Sequence, residues 1–323
     1  MLDSFLFSLN AIAPIFILVV LGVILKKINF VPEAFFQGCD KAVFRICLPC
    51  LLFQDIATTN LEEYLNIKYI VFNALAVVAL VILLCSLVPL FIKANDKRGA
   101  FIQGVYRSNS AILGFALAEN LFPIGGSTTI AMALPFTVVL YNAFAVVILS
   151  IFAPSQSKLS PKELFVRIVK TVVTNPHIIA ITLALLWQLT PFKLPVIVNS
   201  GLTYLADMSM PLALISLGAG FKLSSLGGGR LGLALSASVC KTVIVPIIVV
   251  LSGIAMGFRD VELGVIFIIF GGPTAVSSYI MAKQMNSDHE LAGQILLIST
   301  LMSVLTMFAG IMILREMGLI GNL

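Results

Sequence analysis

The stretch YRSNSAILGF, residues 106–115, sets Arg107, Ser108, Asn109 and Ser110 side by side between long apolar runs. A second stretch, GGPTAVSS at 271–278, places Gly272 and Pro273 ahead of Thr274, Ala275 and Ser277. These residue types suit one chemistry, the capture of a carboxylate. Arginine is an always-charged fork matched to that group, and an asparagine amide adds a neutral donor. Proline donates no backbone hydrogen bond and glycine accepts unusual backbone angles, so the second stretch should unwind. Ser108, Asn109 and Ser110 are good helix caps, able to satisfy the free amides of a half-helix start. Two broken helices that cross here would bring two half-helix N-termini together, and their exposed N–H groups and positive dipole ends favour an anion. The candidate substrate-binding residues are Asn109, Arg107, Ser108, Ser110, Gly272, Pro273, Thr274, Ala275 and Ser277. A plainer reading stays open, in which both stretches are kinked structural helices with locally satisfied polar groups. Asn109 would then only cap, and Arg107 would neutralise crossover carbonyls or snorkel to the cytoplasmic side.

The elements that must position these residues are membrane spans. The chain has 323 residues, 59% of them hydrophobic and 11% charged, with a mean hydropathy of +1.08. So few charges cannot cover a soluble protein of this size. Ten apolar segments are expected, at about 5–26, 34–56, 67–93, 99–119, 128–152, 176–190, 195–221, 229–256, 261–283 and 290–315. The first has no basic stretch or small-residue cleavage site before it and reads as a retained helix rather than a signal peptide. The longest connection, 153–175, carries Ser/Pro turn signals and then a basic amphipathic piece with Phe165, Ile168 and Val172 on one side, suited to the membrane surface. Alternate loops differ in charge. One set includes Lys26, Lys27, Lys93, Lys97, Arg98 and Lys158, while the other holds only Lys68, Lys193, Arg259 and Arg315. The first set should face the cytoplasm, which leaves both termini outside.

The two halves of the chain echo each other. Pro14 and Pro176 are separated by the same interval as Pro49 and Pro211, and that shift carries Asn109 into FGGPTAV at 270–276. Five spans per half is an odd number, so the halves must be inverted. Inverted repeats with a broken helix in each are a transporter architecture. The net charge of +5 comes with no nucleic-acid motif.

Other chemistries find no support. Cys47 and Cys50 form a C-x-x-C, but inside an apolar helix without the electropositive, wet setting that makes thiolates. The two histidines, His177 and His289, are far apart and read as solvated residues, so no metal site and no cofactor is expected. Walker A, G-x-S-x-G and H-E-x-x-H sequences are absent. Asp207 lies one turn before Pro211. It pairs with a basic group such as Lys241, carries a coupling proton or is exposed to a cavity.

At five places the chain resembles the auxin efflux carrier family, which joins plant auxin exporters to bacterial organic-acid permeases, malate and malonate carriers among them. The resemblance spans nearly the whole chain and rests on RSNSAILGFAL (107–117), NPHIIAITLALL (175–186), MPLALISLGAGF (210–221), KTVIVPII (241–248) and GGPTAVSSYIMAKQ (271–284). It implies an all-α polytopic membrane protein of ten transmembrane helices in two inverted five-helix repeats, similar to bile-acid symporters and sodium/proton antiporters. Scaffold helices 1–2 (1–60) and 6–7 (176–222) would form a homodimer. Transport-domain helices 3–5 (61–152) and 8–10 (223–323) would move as an elevator, with 153–175 as the cytoplasmic loop. The carboxylate would sit where helices 4 and 9 cross, near Asn109 and Pro273. Departures from the plant pattern fall at Ala116 and Ser278, where plant members carry prolines, and at Thr274, where they carry glutamine. The expected function is a secondary carrier of small organic anions, leaning to a dicarboxylate, in a bacterial inner membrane. The alternative is an ion-coupled symporter of a larger amphipathic anion or an auxin-like monocarboxylate exporter.

Overall fold

The helix Ile67–Phe91 is apolar on every face, yet it buries a single stripe of Tyr69, Asn73, Val77, Val81, Leu84 and Val88. Three- and four-residue steps keep those side chains on one side of a helix. Leu75, Ile82, Leu83 and Leu90, on the other faces, are exposed. Water would penalise such a surface, whereas lipid tails are as apolar as leucine and accept it.

The computed structural model describes residues 2–58, 66–152, 161–174, 176–190, 192–220 and 229–321. The helices run α1 (Leu2–Lys27), α2 (Glu33–Ala42), α3 (Leu48–Thr58), α4 (Ile67–Phe91), α5 (Asn95–Tyr106), α6 (Phe115–Leu121) and α7 (Gly126–Ile151). They continue as α8 (Pro161–Val173), α9 (Pro176–Gln188), α10 (Val196–Ala219), α11 (Leu231–Val239), α12 (Val245–Ala255), α13 (Asp260–Gly271), α14 (Val276–Gln284) and α15 (His289–Glu316). No strand occurs among the described residues, and the extended backbone contributes one isolated antiparallel bridge, between Ser108 and Thr274. By length and composition, five described stretches can each cross a bilayer: Ile67–Phe91, Gly126–Ile151, Val196–Ala219, Leu231–Ala255 and His289–Glu316. Shorter apolar helices, Ser110–Leu121 and Ile178–Gln188, accompany them.

Wide π-helical turns join α2 to α3 (Val43–Cys47), lead into α6 (Ser110–Gly114) and join α11 to α12 (Cys240–Ile244). Two of them precede a proline, Pro49 or Pro246. A proline ring clashes with the carbonyl four residues back and offers no amide to it. Shifting the bonding by one residue removes that conflict. Accordingly the amides of Leu48 and Val245 reach back five residues, to the carbonyls of Val43 and Cys240.

Two helices cross at backbone contact. A β-carbon on Gly22 of α1 would fall 1.9 Å from the Ile215 oxygen, and one on Gly218 of α10 would fall 1.8 Å from the Val19 oxygen. Small residues allow this closeness where helices pack in a membrane. α3 packs on α9 and α10, which joins these four helices into one group. α8 presents Phe165, Val166 and Val173 as exposed apolar residues, and residues 153–160 and 175 of the predicted loop lie outside the described ones.

At the centre lie the most buried helical pieces. Every residue from Gly99 to Tyr106 in α5 is buried, as is every residue from Leu263 to Gly271 in α13. Each is 12 residues long, too short to span a bilayer alone, and each ends at a polar break.

Candidate functional site

The first break covers Arg107–Asn109. Arg107 closes α5 with extended backbone angles, and helical geometry resumes at Ser110. The second covers Gly272–Ala275, between α13 and α14. Unpaired backbone cannot persist at this depth, and the two breaks satisfy each other. Ser108 bridges to Thr274, and the Asn109 amide donates to the Pro273 carbonyl at 2.9 Å. Side chains reinforce the crossing. Thr274 Oγ1 donates to the Gly104 carbonyl at 2.5 Å, the Thr274 amide donates to Ser299 Oγ at 3.2 Å, and Gln103 Nε2 donates to the Ser278 carbonyl at 3.2 Å.

One side of the crossing opens on a cavity of about 60 Å³. Arg107, Ser108, Asn109, Ala275 and Ser277 of the predicted set line it. Gly272, Pro273, Thr274 and Ser110 do not. The first three form the crossing itself, and Ser110 lies beside the Tyr141 hydroxyl. Thr274 is therefore a clasp between the two broken helices. Thr274→Val should cost roughly 1–3 kcal/mol, because it leaves the buried Gly104 carbonyl unpaired. The expected readout is a melting temperature several degrees lower in detergent with the substrate KM little changed. A raised KM at unchanged melting temperature would instead make Thr274 a ligand.

The start of the second half-helix departs from the capping expectation. Asn109 occupies the N-cap position but its side chain caps nothing. Because the first turn is π-helical, the Asn109 carbonyl takes the Gly114 amide, five residues on, at 3.0 Å. The side-chain amide nitrogen of Asn109 is buried with no hydrogen-bond partner, and so is Ser108 Oγ. Ala275, at the N-cap of α14, likewise makes no side-chain cap. Neither half-helix start is capped by the side chain at its N-cap, and Ala111, Ile112, Val276 and Ser277 from the two first turns line the same cavity.

Arg107 is 5% exposed. Its Nη2 donates to Asn142 Oδ1 at 2.7 Å and its Nη1 to the Met281 sulfur at 2.9 Å. Both acceptors are neutral, and among the described ion pairs none involves Arg107. A guanidinium has five donors, and these two bonds use two of them. Tyr141 and Asn142, from α7, also line the cavity and were not anticipated, and neither was Phe44. The signal for Asn142 was available, since it is an amide in the middle of the apolar run Gly126–Ile151.

The anticipated Asp207–Lys241 pair does not form. Asp207 is exposed on α10, close enough to Glu119 for their charges to interact. Lys241 is buried and donates to the Phe270 carbonyl at 3.0 Å. The two residues sit on helices that turn them to different neighbours.

The family model described as "Membrane transport protein" matches residues 7–310. A protein of Rhizobium meliloti named "Putative malonate transporter" is 23% identical over 310 residues, covering 94% of this chain and 95% of that protein. An uncharacterized transporter of Methanocaldococcus jannaschii is 21% identical over 304 residues, 92% of this chain and 96% of that protein. Another, from Methanothermobacter thermautotrophicus, is 21% identical over 313 residues, 94% of this chain and 97% of that protein.

Proposed function

The chain belongs to the membrane transport protein family, that of the auxin efflux carriers, and from this premise we propose that it is a secondary carrier of small carboxylates, by preference a short dicarboxylate. The observation that carries this reading is Arg107, a buried cation facing a cavity with only neutral partners. Burying an unpaired charge is costly, and an anion that enters the cavity offsets the cost. One carboxylate would accept from Asn109 and from backbone amides at the starts of the two half-helices. The second would take the open side of the Arg107 fork. The cavity has room for only a few water-sized groups, which favours a three- or four-carbon diacid over a larger amphipathic anion. The relative named for malonate agrees with that preference.

The reading extends to the architecture. The chain would place ten helices in two inverted repeats, and the element order supports this. α4, the broken α5–α6 and α7 are followed in the second half by α11–α12, the broken α13–α14 and α15. The packing of α1, α3, α9 and α10 supports a scaffold of 1–60 and 176–222, through which two copies would associate. The domain formed by 61–152 and 223–323 would carry the crossing as an elevator, with the basic loops and 153–175 in the cytoplasm and both termini outside a bacterial inner membrane.

The test is uptake of labelled malonate, malate and indole-3-acetate into proteoliposomes, wild type beside Asn109→Ala, with and without imposed proton and sodium gradients. We expect a short diacid to accumulate and Asn109→Ala to reduce its uptake by about tenfold or more, the worth of one hydrogen bond to a charged group. Equal uptake by the variant would make residues 106–115 a structural break and refute the site.

A further inference from the structure

Lys241 is fully buried, at 0% exposure, on the π-helical turn between α11 and α12. Its Nζ donates at 3.0 Å to the carbonyl of Phe270, in the last turn of α13 just ahead of the Gly272–Ala275 break. The last carbonyls of a helix have no intrahelical amide and carry the negative end of its dipole. The described ion pairs join Lys26 or Arg230 to Glu33, Asp288 and Glu290, and none reaches Lys241. A leucine would fill this space without the desolvation penalty of an ammonium group. The charge therefore has a task, and the carbonyl end of the break is what it touches.

Where carriers break their helices, half-helix C-terminal ends and unwound carbonyls are the groups that hold a coupling cation. Here a covalently attached cation already occupies that end. We propose that Lys241 is a resident cation standing in for a dissociable one, holding the carbonyl side of the break so that binding and transport need no sodium. The two sides of the break are chemically opposite. Its N–H side looks into the cavity beside Arg107 and Asn109, and its carbonyl side meets Lys241. An anion on one side and a cation on the other leave neither dipole end of the Gly272–Ala275 break uncompensated. This inference rests on the crossing being the transport site, but its first test needs no substrate.

Purified full-length protein in detergent is melted in sodium chloride and in N-methyl-D-glucamine chloride at equal ionic strength. Wild type and Lys241→Arg should melt alike in the two salts. Lys241→Met should melt several degrees lower in N-methyl-D-glucamine, and sodium should recover part of that loss. In proteoliposomes, wild-type malonate uptake should be equal in the two salts, while Lys241→Met should lose about tenfold or more without sodium. A sodium requirement in wild type overturns the proposal. So does a Lys241→Met protein that sodium does not stabilise, or one that transports normally without sodium. Should Lys241→Met yield no protein, the wild-type comparison decides alone, because sodium independence supports the proposal and sodium dependence refutes it. If malonate does not move in either protein while the melting results hold, the substrate assignment fails and the role of Lys241 stands.

Discussion

Arg107→Gln should lower dicarboxylate uptake by about 10- to 100-fold, mainly through KM. A hydrogen bond to a charged group contributes about 1.5–3 kcal/mol, and each 1.4 kcal/mol is a factor of ten. Glutamine keeps a donor near Asn142 but removes the charge and the fork, so a second carboxylate entering the cavity would meet no cation. Arg107→Lys should fall between the two, since an ammonium restores the charge without the paired geometry. Comparing substrates separates binding from folding. Malonate should lose far more than a monocarboxylate of similar length, because only the diacid has a second group to place on Arg107. Equal losses for both would show that Arg107 braces the crossing through Asn142 and Met281 and does not read the substrate.

Gly218→Val should abolish the folded protein or lower its melting temperature by well over ten degrees. Its first added carbon alone would lie 1.8 Å from the Val19 oxygen and 2.8 Å from the carbonyl carbon. Backbone cannot rotate away as a side chain can. Relief requires α1 and α10 to separate, undoing the packing between them. Inserting bulk into a packed interior costs typically about 1–3 kcal/mol where side chains can adjust, and more where they cannot. Gly22→Val should behave similarly, with a collision of 1.9 Å at the Ile215 oxygen. Gly201, on the same α10, provides the control, because a β-carbon there meets nothing within 4 Å. Gly201→Ala should leave extraction and melting unchanged. If Gly218→Val extracts and melts as wild type does, α1 and α10 do not cross at this contact.

The breaks were legible before any coordinates because they depend on local chemistry. Pro273 cannot continue a helix, Gly271 and Gly272 do not insist on one, and Arg107–Ser110 is a polar interruption too dense for a lipid-facing surface. The division of labour within the breaks was not legible. Thr274 and Ser277 are both hydroxyl residues of one short stretch, yet one clasps the Gly104 carbonyl and the other lines the cavity. Which way each faces depends on how the extended segments pair, and that pairing joins residues far apart in sequence. Asn109 was expected to cap a helix, but the π-helical turn at Ser110–Gly114 met the backbone need another way and left the amide free.

Composition and local pattern alone determined that the chain lives in a membrane, that its elements are helices and that two of them break, because each follows from the solvent and from the preferences of neighbouring residues. Tertiary structure alone decided the rest. It placed Asn142 and Met281 on the Arg107 guanidinium, turned Lys241 to Phe270 and away from Asp207, and set Gly22 and Gly218 at the contact of α1 with α10. Those outcomes depend on which faces of distant helices meet. A uniformly apolar sequence does not encode that choice in any local pattern, since lipid and protein interior accept the same side chains.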